Sequence, residues 1–144
     1  MRQSLAPGLE GAYRYRIPEG KTVPHIYEEA PDFQLMPAVL ATGYLVALVE
    51  WACIELVKPH IDWPAEQTLG TYVDLSHTAP SLPGMTIEVR VRLESVEGRR
   101  LAFTVHAHDG VDTVCEGRHE RHAIAIERFA ERLARKAALV GAAG

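Results

Sequence analysis

The chain has 144 residues and a formal net charge of −4, with 47% hydrophobic against 24% charged side chains. That suits one domain burying roughly 70% of its unfolded surface, and is too apolar for a disordered segment. No cationic surplus is available to neutralise phosphates, which argues against a nucleic-acid partner.

Two cysteines, Cys53 and Cys115, are too few for a disulfide framework and lack zinc-site spacing, so a reducing cytoplasm is the expected location. The first residues hold no apolar signal stretch, and no segment reaches about 18 apolar residues, so neither export nor membrane insertion is expected.

Residues 13–17 alternate aromatic or apolar side chains with Arg14 and Arg16, the pattern of a half-exposed strand. Between residues 21 and 37, Pro24, Pro31 and Pro37 break regular structure, so an irregular segment with short helical turns is expected, available as a lid. Residues 38–58 are the most apolar stretch and too long for a strand. They predict a buried helix that starts near Thr42 and stops at Pro59.

The period then changes. Residues 68–77 read as a strand, and a longer one follows in which Met85, Ile87, Val89, Val91 and Leu93 oppose Glu88, Arg90, Arg92 and Glu94. Glu97-Gly98-Arg99-Arg100 supplies a hairpin turn, after which Leu101, Phe103, Val105 and Ala107 repeat the alternation. Asp109-Gly110 turns the chain into a last strand over residues 111–126, with a bulge expected between Cys115 and Ile124. An exposed helix over residues 127–139 and a frayed Gly/Ala tail, GAAG, close the chain. The predicted class is α+β, an antiparallel sheet wrapped around one apolar helix.

Within this layout Glu50 stands out. Its neighbours one helical turn away, Val46, Ala47, Cys53 and Ile54, are all apolar, so the carboxylate faces something other than water, is held in a structural ion pair, or marks a polar strip. His77 ends a strand whose same-face residues are Thr71, Val73 and Leu75, which suits either a satisfied core histidine or a base at a pocket edge. Thr42, at the helix start, reads as a helix cap or as a catalytic hydroxyl.

In the run Gly117-Arg118-His119-Glu120-Arg121-His122, alternation puts His119 with Arg121. The alternatives there are a solvated strand and, for Arg121, a contact to ligand phosphates. His106 and His108 share a face and could chelate a metal, but on the polar side opposite Phe103 and Val105, so no metal site is expected. HExxH, G-x-S-x-G, Walker and G-x-G-x-x-G patterns are missing from the sequence.

The sequence ATGYLVALVEWAC at residues 41–53 resembles the central helix of the fluoroacetyl-CoA thioesterases. LGT at residues 69–71 leading to SHTA at 76–79, SVEGRRL at 95–101, and AHDGVD at 107–112 followed by HER at 119–121 keep that family's order and spacing. The likeness covers about residues 13–129. It implies a hotdog fold and a homodimer. It also implies a catalytic set that falls on Thr42, Glu50 and His77, with Gly70 offering backbone near the thioester carbonyl and Arg121 in the substrate-binding region.

The expected organisation is an N-terminal extension over residues 1–12, a hotdog domain over 13–129 with its lid at about 21–37, and a C-terminal helix and tail. No cofactor is implied, since coenzyme A belongs to the substrate, and no membrane or nucleic-acid partner. The family pattern carries two lid phenylalanines. This chain has Phe33 at the first place and Met36 at the second, which bears on fluorine selectivity more than on hydrolysis. The rival expectations are a non-catalytic acyl-CoA-binding hotdog protein, a hotdog hydratase, and a broad short-chain thioesterase without fluorine selectivity.

Overall fold

The alternating segments pair into one five-stranded antiparallel sheet that packs a single face against the apolar helix. The computed structural model describes residues 1–143. In chain order they form β1 (Glu10–Arg16), a short α1 (Pro31–Gln34), α2 (Thr42–Val57), β2 (Glu66–Leu75), β3 (Thr86–Glu97), β4 (Arg100–His108), β5 (Thr113–Ala125) and α3 (Ile126–Ala143). The strand order is β1-β3-β4-β5-β2, which leaves β1 and β2 as edges.

Helix α2 contributes Leu45, Leu48, Val49, Ala52, Cys53, Leu56 and Val57 to the core. They meet Ile87, Val89, Val91 and Leu93 of β3 and Leu101, Phe103, Val105 and Ala107 of β4. The helix ends where expected: Pro59 lies in a 3-10 turn, Lys58–His60, that closes it. The opening residues also join the body, with Leu5 buried in the core and the Gly8 N–H donating to the Leu93 carbonyl at 2.8 Å.

The segment over residues 21–37, expected as a lid, is tied at its base. Thr22 and Leu40 form an antiparallel bridge, and the Leu40 N–H donates to the Ser81 carbonyl at 2.9 Å. A 3-10 turn, Glu19–Lys21, leads into the bridge at Thr22, and between the ties run a second 3-10 turn, Val23–His25, and then α1, in keeping with Pro24, Pro31 and Pro37.

Four local expectations change. Strand β1 begins at Glu10, three residues earlier, because its partner β3 continues the ladder to Arg92. Strand β2 stops at Leu75, so His77 lies beyond the strand. Thr71 and Val73 are exposed rather than turned to a core, because β2 is an edge strand. The bulge lies before Cys115, where Val114 is the extra residue opposite Ala107 and His108; from Cys115 to Ala123 the inward alternation is unbroken. The GAAG residues described here continue α3 to Ala143 instead of fraying, and Gly144 lies outside the described residues.

Candidate active site

Helix α2 presents two polar side chains where strands and loops meet it. At its first residue, Thr42 Oγ1 and His77 Nδ1 share a hydrogen bond of 2.7 Å. The cap reading of Thr42 is thereby corrected: Ala41 is the N-cap, no side chain caps the helix, and the hydroxyl is committed to the imidazole. Burial holds the His77 imidazole below its ordinary value, only partly opposed by the nearby Ala79 backbone, so the ring is neutral at neutral pH. Its Nε2 is buried without a hydrogen-bond partner, the one such side-chain atom among the described residues.

Two turns further on, the Glu50 side chain is 38% exposed. Its Oε2 accepts a hydrogen bond of 2.8 Å from Arg121 Nη1. The carboxylate lies over Gly70 of β2, where a Cβ would come within 2.5 Å of Glu50 Oε2 and 3.3 Å of Arg121 Nη1, so only a hydrogen leaves room. Arg121 comes from the inner face of β5, as its alternation requires.

The phosphate contact expected of Arg121 is corrected by its surroundings. Its side chain is 3% exposed, with Nε donating to Thr68 Oγ1 at 2.7 Å, Nη2 to the Thr68 carbonyl at 2.8 Å, and Nη1 to Glu50 and to His119 Nε2 at 3.1 Å. A guanidinium so enclosed orients a carboxylate; it does not reach a solvated phosphate.

These side chains form two stations. Thr42 and Glu50 are eight residues apart on one helix, about 12 Å along its axis at 1.5 Å per residue, and within one chain each bonds a different partner.

Phe33 is half-buried and stacked on Tyr27 at 6.0 Å between centroids, and Met36 is 49% exposed. Burial pushes the Cys53 thiol up to about 12, so it is no nucleophile. His106 and His108 meet Glu116 and Glu88 at 3.6 and 3.4 Å on the outer sheet face, and among the described residues no three potential metal ligands gather.

Reading the sequence by residue type missed Thr68 and His119. The signal for His119 was present, since strand alternation already grouped it with Arg121.

The family described as fluoroacetyl-CoA-specific thioesterase matches this chain over residues 23–127. The fluoroacetyl-CoA thioesterase of Streptantibioticus cattleyicolor is 43% identical over 136 residues, spanning 94% of this chain and 97% of that protein. The chain belongs to this thioesterase family.

Solved structures agree with that membership. A variant of FlK in complex with acetyl-CoA superposes with a TM-score of 0.88 at 42% identity, over 92% of this chain and 98% of that one. A thioesterase superfamily member from Thermus thermophilus superposes at 0.80 with 28% identity over 99% of each chain. The fold is the hotdog fold expected of the sequence, and the thioesterase is a thioester hydrolase.

Proposed function

We propose that this thioesterase hydrolyses fluoroacetyl-CoA, or a related short acyl-CoA, to the free acid and coenzyme A in the cytoplasm, using Thr42, Glu50 and His77. The observation that carries the reading is Glu50, a carboxylate whose neighbours one helical turn away are all apolar, seated directly over the backbone of Gly70 and held there by Arg121.

A thioester carbonyl needs an attacking oxygen, a proton acceptor and donors for the growing oxyanion. Glu50 either attacks the carbonyl carbon itself, expelling the CoA thiolate and leaving a mixed anhydride that water then opens, or takes a proton from a water that attacks in its place, while Arg121 fixes its direction. The Gly70 backbone faces the carbonyl. With Nδ1 protonated and donating to Thr42 Oγ1, His77 keeps a lone pair on Nε2; in the anhydride route it takes the proton of the water that opens the anhydride, and in either route the proton taken from water passes on to the CoA thiolate. The Thr42 hydroxyl then donates its own hydrogen to the carbonyl.

The working form is a homodimer joined through β2. This edge exposes Leu69, Tyr72 and Val73 together with unpaired backbone groups, a surface that a second copy covers. In this dimer β2 pairs antiparallel with its symmetry mate, so that Gly70 and Glu50 of one copy meet Thr42 and His77 of the other. The two stations thereby become one site. The lid with Phe33 and Met36 closes over the acyl group.

The test is thiol release on a panel of acyl-CoAs by the wild type, Glu50→Gln and His77→Ala. Rapid release from fluoroacetyl-CoA that both substitutions abolish, in proteins that remain folded, is expected. Near-normal turnover in both variants would overturn the assignment.

A further inference from the structure

Below Glu50 and Arg121 lies a histidine to which the mechanism above gives no role. His119 is fully buried on the inner face of β5, stacked on Phe103 of β4 with centroids 6.4 Å apart. Both ring nitrogens are engaged. Nδ1 lies 2.8 Å from the Tyr72 carbonyl on β2, and Nε2 lies 3.1 Å from Arg121 Nη1.

The chemistry of these partners fixes the ring's state. A guanidinium has only donors, so Nε2 must accept; a carbonyl has only lone pairs, so Nδ1 must carry the hydrogen. The ring is therefore the neutral Nδ1–H tautomer. Burial agrees, since it holds this imidazole below its ordinary value, with the Tyr72 carbonyl opposing and Arg121 assisting. The charged groups around it are Arg121 and Glu120 on its own strand and Glu50 on α2.

We propose that His119 is a positioning residue for hydrolysis: its Nε2 holds Arg121 Nη1 at the angle from which the guanidinium orients the Glu50 carboxylate. Arg121 Nη1 has two hydrogens, and they go to Glu50 Oε2 at 2.8 Å and His119 Nε2 at 3.1 Å. The other end of the guanidinium is gripped through Nε and Nη2 by Thr68. Thr68 thus fixes where the guanidinium lies, and His119 fixes the direction of the nitrogen that meets Glu50. A doubly protonated His119 would set N–H against N–H and turn that nitrogen away.

The relay also joins the edge strand to the reacting group, because the Tyr72 carbonyl that fixes the tautomer belongs to β2, next to the bulge at Thr71. The inference rests on Glu50 as the reacting carboxylate, which Glu50→Gln tests separately.

Two measurements decide it. The first is independent of turnover: imidazole 15N shifts of the wild type should show His119 with a protonated Nδ1 and an unprotonated, hydrogen-bonded Nε2 at neutral pH. The opposite tautomer, or a charged ring, overturns the proposal.

The second compares thiol release by His119→Gln, whose amide oxygen can replace the Nε2 acceptor, with that of His119→Met, which fills similar volume against Phe103 without an acceptor. In His119→Met, kcat should fall about 10- to 100-fold with KM within about threefold, since about 1 Å of misplacement at a reacting group has effects of that size. His119→Gln should recover most of the loss. Once Arg121→Lys is present, adding His119→Met should cost little more. Equal activity of the Met and Gln variants, or a full multiplicative loss in the double variant, assigns His119 to packing and overturns the proposal.

Discussion

Gly70→Ala isolates the geometry around Glu50. A methyl group there would stand 2.5 Å from Glu50 Oε2 and 3.3 Å from both Glu50 Cδ and Arg121 Nη1. Because the crowded atoms are the far end of a flexible side chain, the fold can yield. Swinging the carboxylate off its rotamer costs about 0.5–1.5 kcal/mol, and losing its charge-assisted bond to Arg121 costs about 1.5–3 kcal/mol at most, less for a side chain 38% exposed. For a chain of this length each kcal/mol lowers Tm by about 2–4 °C, so a fall of at most about 18 °C is expected.

Activity should suffer far more. The displaced carboxylate is the proposed reacting group, so kcat/KM should drop about 100-fold. Steady-state thiol release and a thermal melt on the same preparation measure both quantities. A kcat/KM within about threefold of wild type would refute the placement of the reaction over Gly70. A contrasting control is Gly117→Ala. Its φ of +148° and the Asp74 carbonyl behind it make the substitution a strain on the β2–β5 ladder, so stability should fall whatever happens to chemistry.

Three further outcomes follow from the same contacts. Burial lowers the folded-state pKa of His77 and of His119, so between those lowered values and about 6.5 the unfolded chain binds more protons than the folded one. Stability should rise with pH through that window and be flat just above it, and urea melts from pH 5 to 8 check the sign. At the β4–β5 turn, burial alone would raise the Asp109 carboxyl, but the Asp112 N–H, the Ser81 hydroxyl and the Val111 N–H outweigh it and hold the group below its ordinary value. Asp109→Ala strands those donors and should cost about 2–3 kcal/mol in urea unfolding. Met36→Phe should raise the ratio of kcat/KM for fluoroacetyl-CoA over acetyl-CoA, within the about 10- to 200-fold that pocket contacts supply, because a flat ring closes more rigidly than a flexible thioether. An unchanged or lowered ratio would place selectivity elsewhere in the pocket.

Much of the fold was legible because its periodicities are strong. The β3–β4 hairpin follows from unbroken alternation and a Gly turn, and α2 from an apolar run too long for a strand that ends at Pro59. What was not legible depends on long-range pairing. Whether β2 is an edge or a central strand cannot be read from its own residues, and the exposure of Thr71 and Val73, which alternation groups with Leu75, is not legible from them either. Nor could periodicity tell that the Thr42 hydroxyl turns to His77 instead of capping its helix, since both uses need the same residue at the same position. Arg121 was legible as important but not as enclosed, because its burial depends on Thr68 and His119 arriving from two strands. The two-station arrangement needed the helix rise and the contacts together.

Subunit complementation tests the central claim most directly: the catalytic set is assembled from two copies of this chain. Glu50→Gln and His77→Ala proteins, each inactive alone, are mixed, dissociated and allowed to reassociate, and thiol release from fluoroacetyl-CoA is followed while light scattering confirms a mass near twice 15.9 kDa. In a mixed dimer with shared sites, one site carries both substitutions and the other carries neither. Random reassociation should therefore restore about a quarter of wild-type activity. If each site lay within one chain, every site would keep one lesion and the mixture would stay inactive, contradicting the account.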